Sequence, residues 1–179
     1  SIAIGFEAEA TSTTSIAIGF ETTATDQNAV CIGSTSSASG ENAVAIGRGL
    51  SSSGTSSFTA GQANQALGSF SVSLGGGATS KAFASTAIGR FNVASTPTGG
   101  STTQFNLLNE AFIIGNGDYN AQGVRAESNC FVVLFNGNTT ADGDIKCGPN
   151  GKGFILQAPN GQYKRIEVDN NGVLSTQNA

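Results

Sequence analysis

Glycine recurs every fourteen residues through the first half of the chain, at Gly5, Gly19, Gly33, Gly47, Gly61, Gly75 and Gly89. The residue before each is Ile4, Ile18, Ile32, Ile46, Ala60, Leu74 or Ile88, and three before stands Ile2, Ile16, Val30, Val44, Phe58, Val72 or Thr86. A period held without insertion or deletion means a stack of like units. Fourteen residues are too few for a helical repeat and suit one coil of a β-solenoid. Residues 1–96 are therefore expected to form seven coils in register.

Within a coil, the apolar residues three and one before the glycine share a face, because strand side chains alternate. The residue between them (Ala3, Ala17, Cys31, Ala45, Thr59, Ser73 or Ala87) points the other way and must be small. Five after the glycine comes another small residue, as at Ala10, Ala24, Ala38 and Ser52, so each unit offers two short extended stretches and two turns. The repeat glycine is expected at a corner with positive φ or close backbone approach. Stacked at the β spacing, seven coils would rise roughly 34 Å. Two or three sizeable apolar side chains per coil make a thin core, and an aspartate at Ile18 or Ile46 is expected to be heavily penalised as a buried charge. Self-association supplies the missing apolar surface most directly, since a cyclic assembly covers one face of every coil at once.

These motifs carry a resemblance. Ser15-Ile16-Ala17-Ile18-Gly19, Asn28-Ala29-Val30-Cys31-Ile32-Gly33 and Asn42-Ala43-Val44-Ala45-Ile46-Gly47, with Ser37-Ala38-Ser39-Gly40 between, resemble the head repeats of trimeric autotransporter adhesins. The resemblance covers about residues 1–96 and implies a left-handed parallel β-roll that trimerises about a central axis. Similar rolls occur in tail fibres of bacterial viruses. The fifth to seventh units drift, with Phe58-Thr59-Ala60 and Thr86-Ala87-Ile88 in place of Val-Ala-Ile.

After Ala94 the period stops, and 97–109 reads as a linker rich in Gly, Ser and Thr. The remainder, 110–179, is expected to be β-rich. Residues 110–117 and 129–137 are strongly β and end in Gly-Asn-Gly and Asn-Gly turns; the pair resembles a segment that follows such head repeats. From Gly153 to Leu174 the pattern reads as a three-strand meander with turns at Pro159-Asn160-Gly161 and Asp169-Asn170-Asn171-Gly172. That meander resembles a module of viral structural and fibre proteins.

Composition narrows the chemistry. With no His, the commonest general base and metal ligand is missing. The acidic residues are scattered; Glu7 and Glu21 share one repeat phase, which suits a solvated turn. Gly47-Arg48-Gly49 and Gly75-Gly76-Gly77 carry no P-loop lysine in register and read as corners. Asp142-Gly143-Asp144 and Asp169–Gly172 complete no calcium loop. Asn138-Thr139-Thr140 is a formal glycosylation sequon, meaningful only in a eukaryotic secretory setting. Arg125, between two β segments, reads as an exposed turn charge, with a buried ion-pair partner in a trimer as the alternative. A formal charge of −4 gives no basic stripe for nucleic acid, and no apolar run approaches a membrane span. Cys31 takes the place of an alanine and is expected as a small packed side chain, while Cys130 and Cys147 leave a bridge open. The chain starts mid-repeat, at Ser1-Ile2-Ala3, and reads as a processed chain or a piece of a longer one.

The expectation is thus an all-β homotrimer, not an enzyme, without cofactor or metal and with no catalytic residue. Its function is expected to be structural and adhesive: a virion appendage such as a phage tail fibre, which binds a cell-surface receptor or glycan. The head of a bacterial surface adhesin is the alternative, and a carbohydrate-cleaving viral spike a third. The tips at 115–123 and 136–144 and the loops between coils are the expected contacts.

Overall fold

The structure, a computed structural model, describes residues 1–94, 100–144, 154–168 and 174–178. It divides into two units, Ser1–Asp142 and Gly143–Ala179.

The first unit is a parallel β-solenoid. Its long strands are β1 (Ile2–Ile4), β3 (Ile16–Phe20), β5 (Val30–Ser34), β7 (Val44–Arg48), β9 (Phe58–Gln62), β11 (Val72–Gly76) and β13 (Thr86–Arg90). Between them run two-residue strands: β2 (Glu9–Ala10), β4 (Thr23–Ala24), β6 (Ser37–Ala38), β8 (Ser51–Ser52), β10 (Gln65–Ala66) and β12 (Thr79–Ser80). The long strands form one wall and the short strands the other, each in chain order and each residue over its counterpart one coil on. Glycine faces glycine at every step, as in Gly19↔Gly33 and Gly33↔Gly47.

The repeat glycine is enforced twice over. Gly33 has φ 140°, and a Cβ placed there would lie 1.8 Å from the carbonyl oxygen of Gly47. Stacking at β spacing leaves no room for a side chain at that corner. Each coil also turns through two further residues at positive φ, mostly non-glycine, such as Glu21 (49°) and Asn28 (56°), with Gly49 and Gly77 at the first of these corners in two coils. Asn tolerates that conformation better than most residues.

The interior is built from the small residues. Ala17, Cys31, Ala45, Thr59, Ser73 and Ala87 are fully buried, and so are Ala24, Ala38, Ser52, Ala66 and Ser80 on the facing wall. Leu50 is the larger member of the same buried cluster. The apolar residues do share a face, but it is the outer one, which corrects the expectation that Ile18 and Ile46 lie buried in the coil: Ile18 is half-buried and Ile46 exposed. Cys31 packs inside as a small side chain, and burial pushes its thiol pKa up against the lowering effect of backbone hydrogen bonds from Thr23 and Ala38.

The sheet continues past the end of the period. Strand β14 (Glu110–Asn116) pairs in parallel with β13, with Gly115 opposite Gly89 and Ile113 opposite Ala87. An insertion separates it from the seventh coil, and the coil pattern then returns. Residues of that insertion lie along the coils, where Ser69 and Phe83 donate backbone hydrogen bonds to Thr102 and Ser101. Ile113 is the largest fully buried side chain among the described residues and fills the last rung. The open edge of the short wall is closed by a side chain: Asn92 accepts from the amide of Thr79 at 2.7 Å and donates to its carbonyl at 2.9 Å. This primary amide does what a further strand would do. Antiparallel β17 (Asn129–Leu134) and β18 (Thr139–Ala141) complete the long wall, and a short hairpin, β15 (Asp118–Tyr119) with β16 (Arg125–Ala126), branches from it.

The second unit is an antiparallel three-strand sheet, β19 (Phe154–Gln157), β20 (Tyr163–Val168) and β21 (Leu174–Asn178). Its first turn is closed by Gly161 donating to Ala158. The second expected turn, at Asp169–Gly172, lies outside the described residues, as does Cys147.

Candidate interaction surface

The outer face of the long wall carries two apolar columns one coil apart in height at every step. One is Ile2, Ile16, Val30, Val44, Phe58 and Val72; the other is Ile4, Ile18, Ile32, Ile46, Ala60, Leu74 and Ile88. Solvent reaches 37% of Ile32 and 43% of Ile46 in mid-stack. Phe112 and Ile114 extend the columns onto β14, where Phe112 meets Phe131 edge-on with ring centroids 6.5 Å apart. Single exposed apolar residues are ordinary, but a contiguous apolar band marks an interaction surface.

The corners carry polar columns instead. Thr14 donates its hydroxyl hydrogen to Asn28 Oδ1, and Asn28 Nδ2 donates to Asn42 Oδ1 at 2.9 Å. Glu7 and Glu21 are exposed in left-handed turns. At the N-terminal coils, Phe6 and Phe20 stack with centroids 5.3 Å apart and planes 11° from parallel.

Arg125 is no free turn charge. It sits on β16, donates to the carbonyl of Gly77 at 2.9 Å, lies 3.0 Å from Glu127 and covers the Phe91 ring at 4.8 Å. The hairpin is tied to the coil at its base, where Gly117 donates to the carbonyl of Arg90 and Ser128 to that of Phe91. The hairpin carries most of 115–123, one of the two expected contact tips. At the other, Asn138 is exposed and donates its amide to Asn136 Oδ1. The Cys130 thiol donates to the carbonyl of Ile114. Among the described residues no group of three or more His, Cys, Asp or Glu gathers as a metal site, and no helix is long and apolar enough to cross a membrane.

The face separation was readable only in part from the chain. Alternation says which residues share a side; it does not say which side is inside. The signal available was size, since the positions facing each other on the two walls hold only Ala, Ser, Cys and Thr through the coils.

Comparison with known proteins agrees with this architecture. Residues 1–22, 10–34 and 24–49 match the family model of the YadA head domain repeat. The resemblance to trimeric autotransporter adhesin heads thus rests on a direct match for the first coils, and the stacked fourteen-residue turns continue beyond it to β13. Neither a curated protein nor a solved structure matches the chain.

Proposed function

We propose that this chain is the rod-forming segment of a homotrimeric fibre that attaches to a cell or other surface. The observation that carries the reading is the paired apolar columns on the outer face, which three identical chains cover by turning them toward a common axis. A cyclic interface repeats its contacts in every subunit, so each coil adds the same increment of burial. Attachment then comes from repetition: three copies of a weak site on one rigid rod raise avidity by about 10²–10⁴ where geometry allows joint engagement.

The fibre is assigned to a virion appendage, of the tail-fibre kind, on the resemblance of the terminal three-strand sheet to modules of viral fibres. A second reading, the head of a bacterial surface adhesin, is favoured by the match of residues 1–49 to YadA head repeats. In both, the chain binds and does not cleave. Incubating the purified, assembled chain with cells and with their extracted polysaccharides tests this. Retention on cells with polysaccharide length unchanged is the expected result. Shortened products that vanish when one acidic residue is neutralised would establish the cleaving spike instead.

A further inference from the structure

Where the hairpin lies against the last coils, a cleft of about 180 Å³ opens between Gln62, Gly76, Arg90, Phe91 and Tyr119. We propose that this cleft is a binding site for one uncharged sugar ring, the contact through which the fibre reads a surface glycan.

Its floor and wall are aromatic. Phe91 is 8% exposed and meets Tyr119 edge-on with centroids 5.0 Å apart, while Tyr119 leaves 54% of its surface to solvent. The Arg90 guanidinium lies 5.1 Å from the Phe91 centroid and 5.6 Å from that of Tyr119, and it is held by Asp118 at 2.8 Å. The site is therefore assembled and fixed before any ligand arrives, on a hairpin pinned to the coil by its backbone.

Gly76 is the independent sign that the space is kept open. The equivalent position in other coils bears Phe6, Phe20, Ser34, Arg48, Gln62 or Arg90. Nothing in the backbone asks for glycine there: its φ is not positive, and a Cβ would meet nothing within 4 Å. A strand glycine without a conformational reason marks a place where something else approaches. Gly77 does have a structural reason, since a Cβ there would lie 2.3 Å from the Phe91 ring.

The chemistry selects the ligand. Two arginines already occupy the cation positions over the aromatic rings, which excludes an ammonium guest. Each arginine carries its own carboxylate, Asp118 and Glu127, so the site offers no net positive charge to an acidic sugar. What remains is the exposed ring of Tyr119 beside the open floor at Gly76, with the Gln62 amide and the Arg90 guanidinium at its edge. A pyranose ring presents the complement, one face of C–H bonds and an edge of hydroxyl groups. The volume lies below the roughly 300–1,000 Å³ of drug-sized pockets and suits a single ring.

The test uses the assembled full chain and a panel of uncharged hexoses, deoxyhexoses and N-acetylhexosamines, with sialic and hexuronic acids alongside. Saturation-transfer NMR detects binding, and tyrosine fluorescence titrates it, because the chain has two Tyr and no Trp. An uncharged sugar is expected to bind, unaffected by Tyr163→Phe and weakened at least about tenfold by both Tyr119→Ala and Gly76→Leu. Gly76→Leu fills the cleft from a position with room for it, and its melting temperature shows that the fold is kept. No binding by any uncharged sugar, binding of acidic sugars alone, or binding that survives either variant overturns the site. The proposal rests on the reading as an attachment fibre. Sugar binding lost while cells are still held would remove the site and leave that reading standing.

Discussion

At the scale of single residues, the two glycine types make opposite demands. Gly33 has a positive φ and a Cβ there would strike the next coil, whereas Gly76 lacks the positive φ and a Cβ there would meet nothing. Gly33→Ala is expected to destabilise each chain by more than about 2 kcal/mol, since an L-residue at such a φ costs 1–2 kcal/mol before the clash with the Gly47 carbonyl is relieved. Gly76→Ala is expected to be neutral or to stabilise by about 0.5 kcal/mol through a less flexible unfolded chain. Denaturant midpoints of the two variants decide it, and equal losses would show that the corner geometry is not as described. The importance of the repeat glycine was legible in its phase alone. The meaning of Gly76 was not, because it sits in a Gly75-Gly76-Gly77 run that reads as corner chemistry throughout. Only the structure separates a glycine required by φ, one required by a neighbouring ring and one required by neither.

At the scale of the coil, the facing positions of the two walls are filled by small side chains, so inside and outside tolerate different changes. Ala45 is fully buried, and Ile46 beside it is 43% exposed. Ala45→Asp buries an unpaired charge between the walls and is expected to cost about 3 kcal/mol or more, with loss of β-structure by circular dichroism. Ile46→Asp places its charge where chains meet, so it is expected to weaken association, with β-structure and trimer mass falling together and both restored by raising the chain concentration. Recovery with chain concentration in Ala45→Asp, and none in Ile46→Asp, would reverse the assignment of faces. The regained register at β14 shows the other limit of reading periodicity. Phe112-Ile113-Ile114-Gly115 has the repeat's own pattern, yet the insertion before it moves it out of phase. The period breaks in the sequence while the sheet runs on. Asn92, whose side chain closes the short wall, gives no signal in the chain that distinguishes it from other loop asparagines. Tyr119, Arg90 and Gln62 are likewise too far apart in sequence to suggest a common site.

At the scale of the whole molecule, a solenoid with an interior of Ala, Ser and Thr buries little apolar surface per residue, and conformational entropy opposes it at every residue ordered. The bulk of its apolar side chains stand on the outside of one wall. The account therefore holds that the folded unit is the assembly and that the columns from Ile2 to Ile88 meet their equivalents at a three-fold axis. Obligate oligomers of this kind have no stable folded monomer, so their apparent stability depends on chain concentration. The mass of the folded species by native mass spectrometry, taken across a dilution series, tests this most directly. The account predicts three chains per particle, with β-structure and trimer mass lost together on dilution or denaturation. A folded single chain that keeps its β-structure with the Ile and Val columns in water would contradict it.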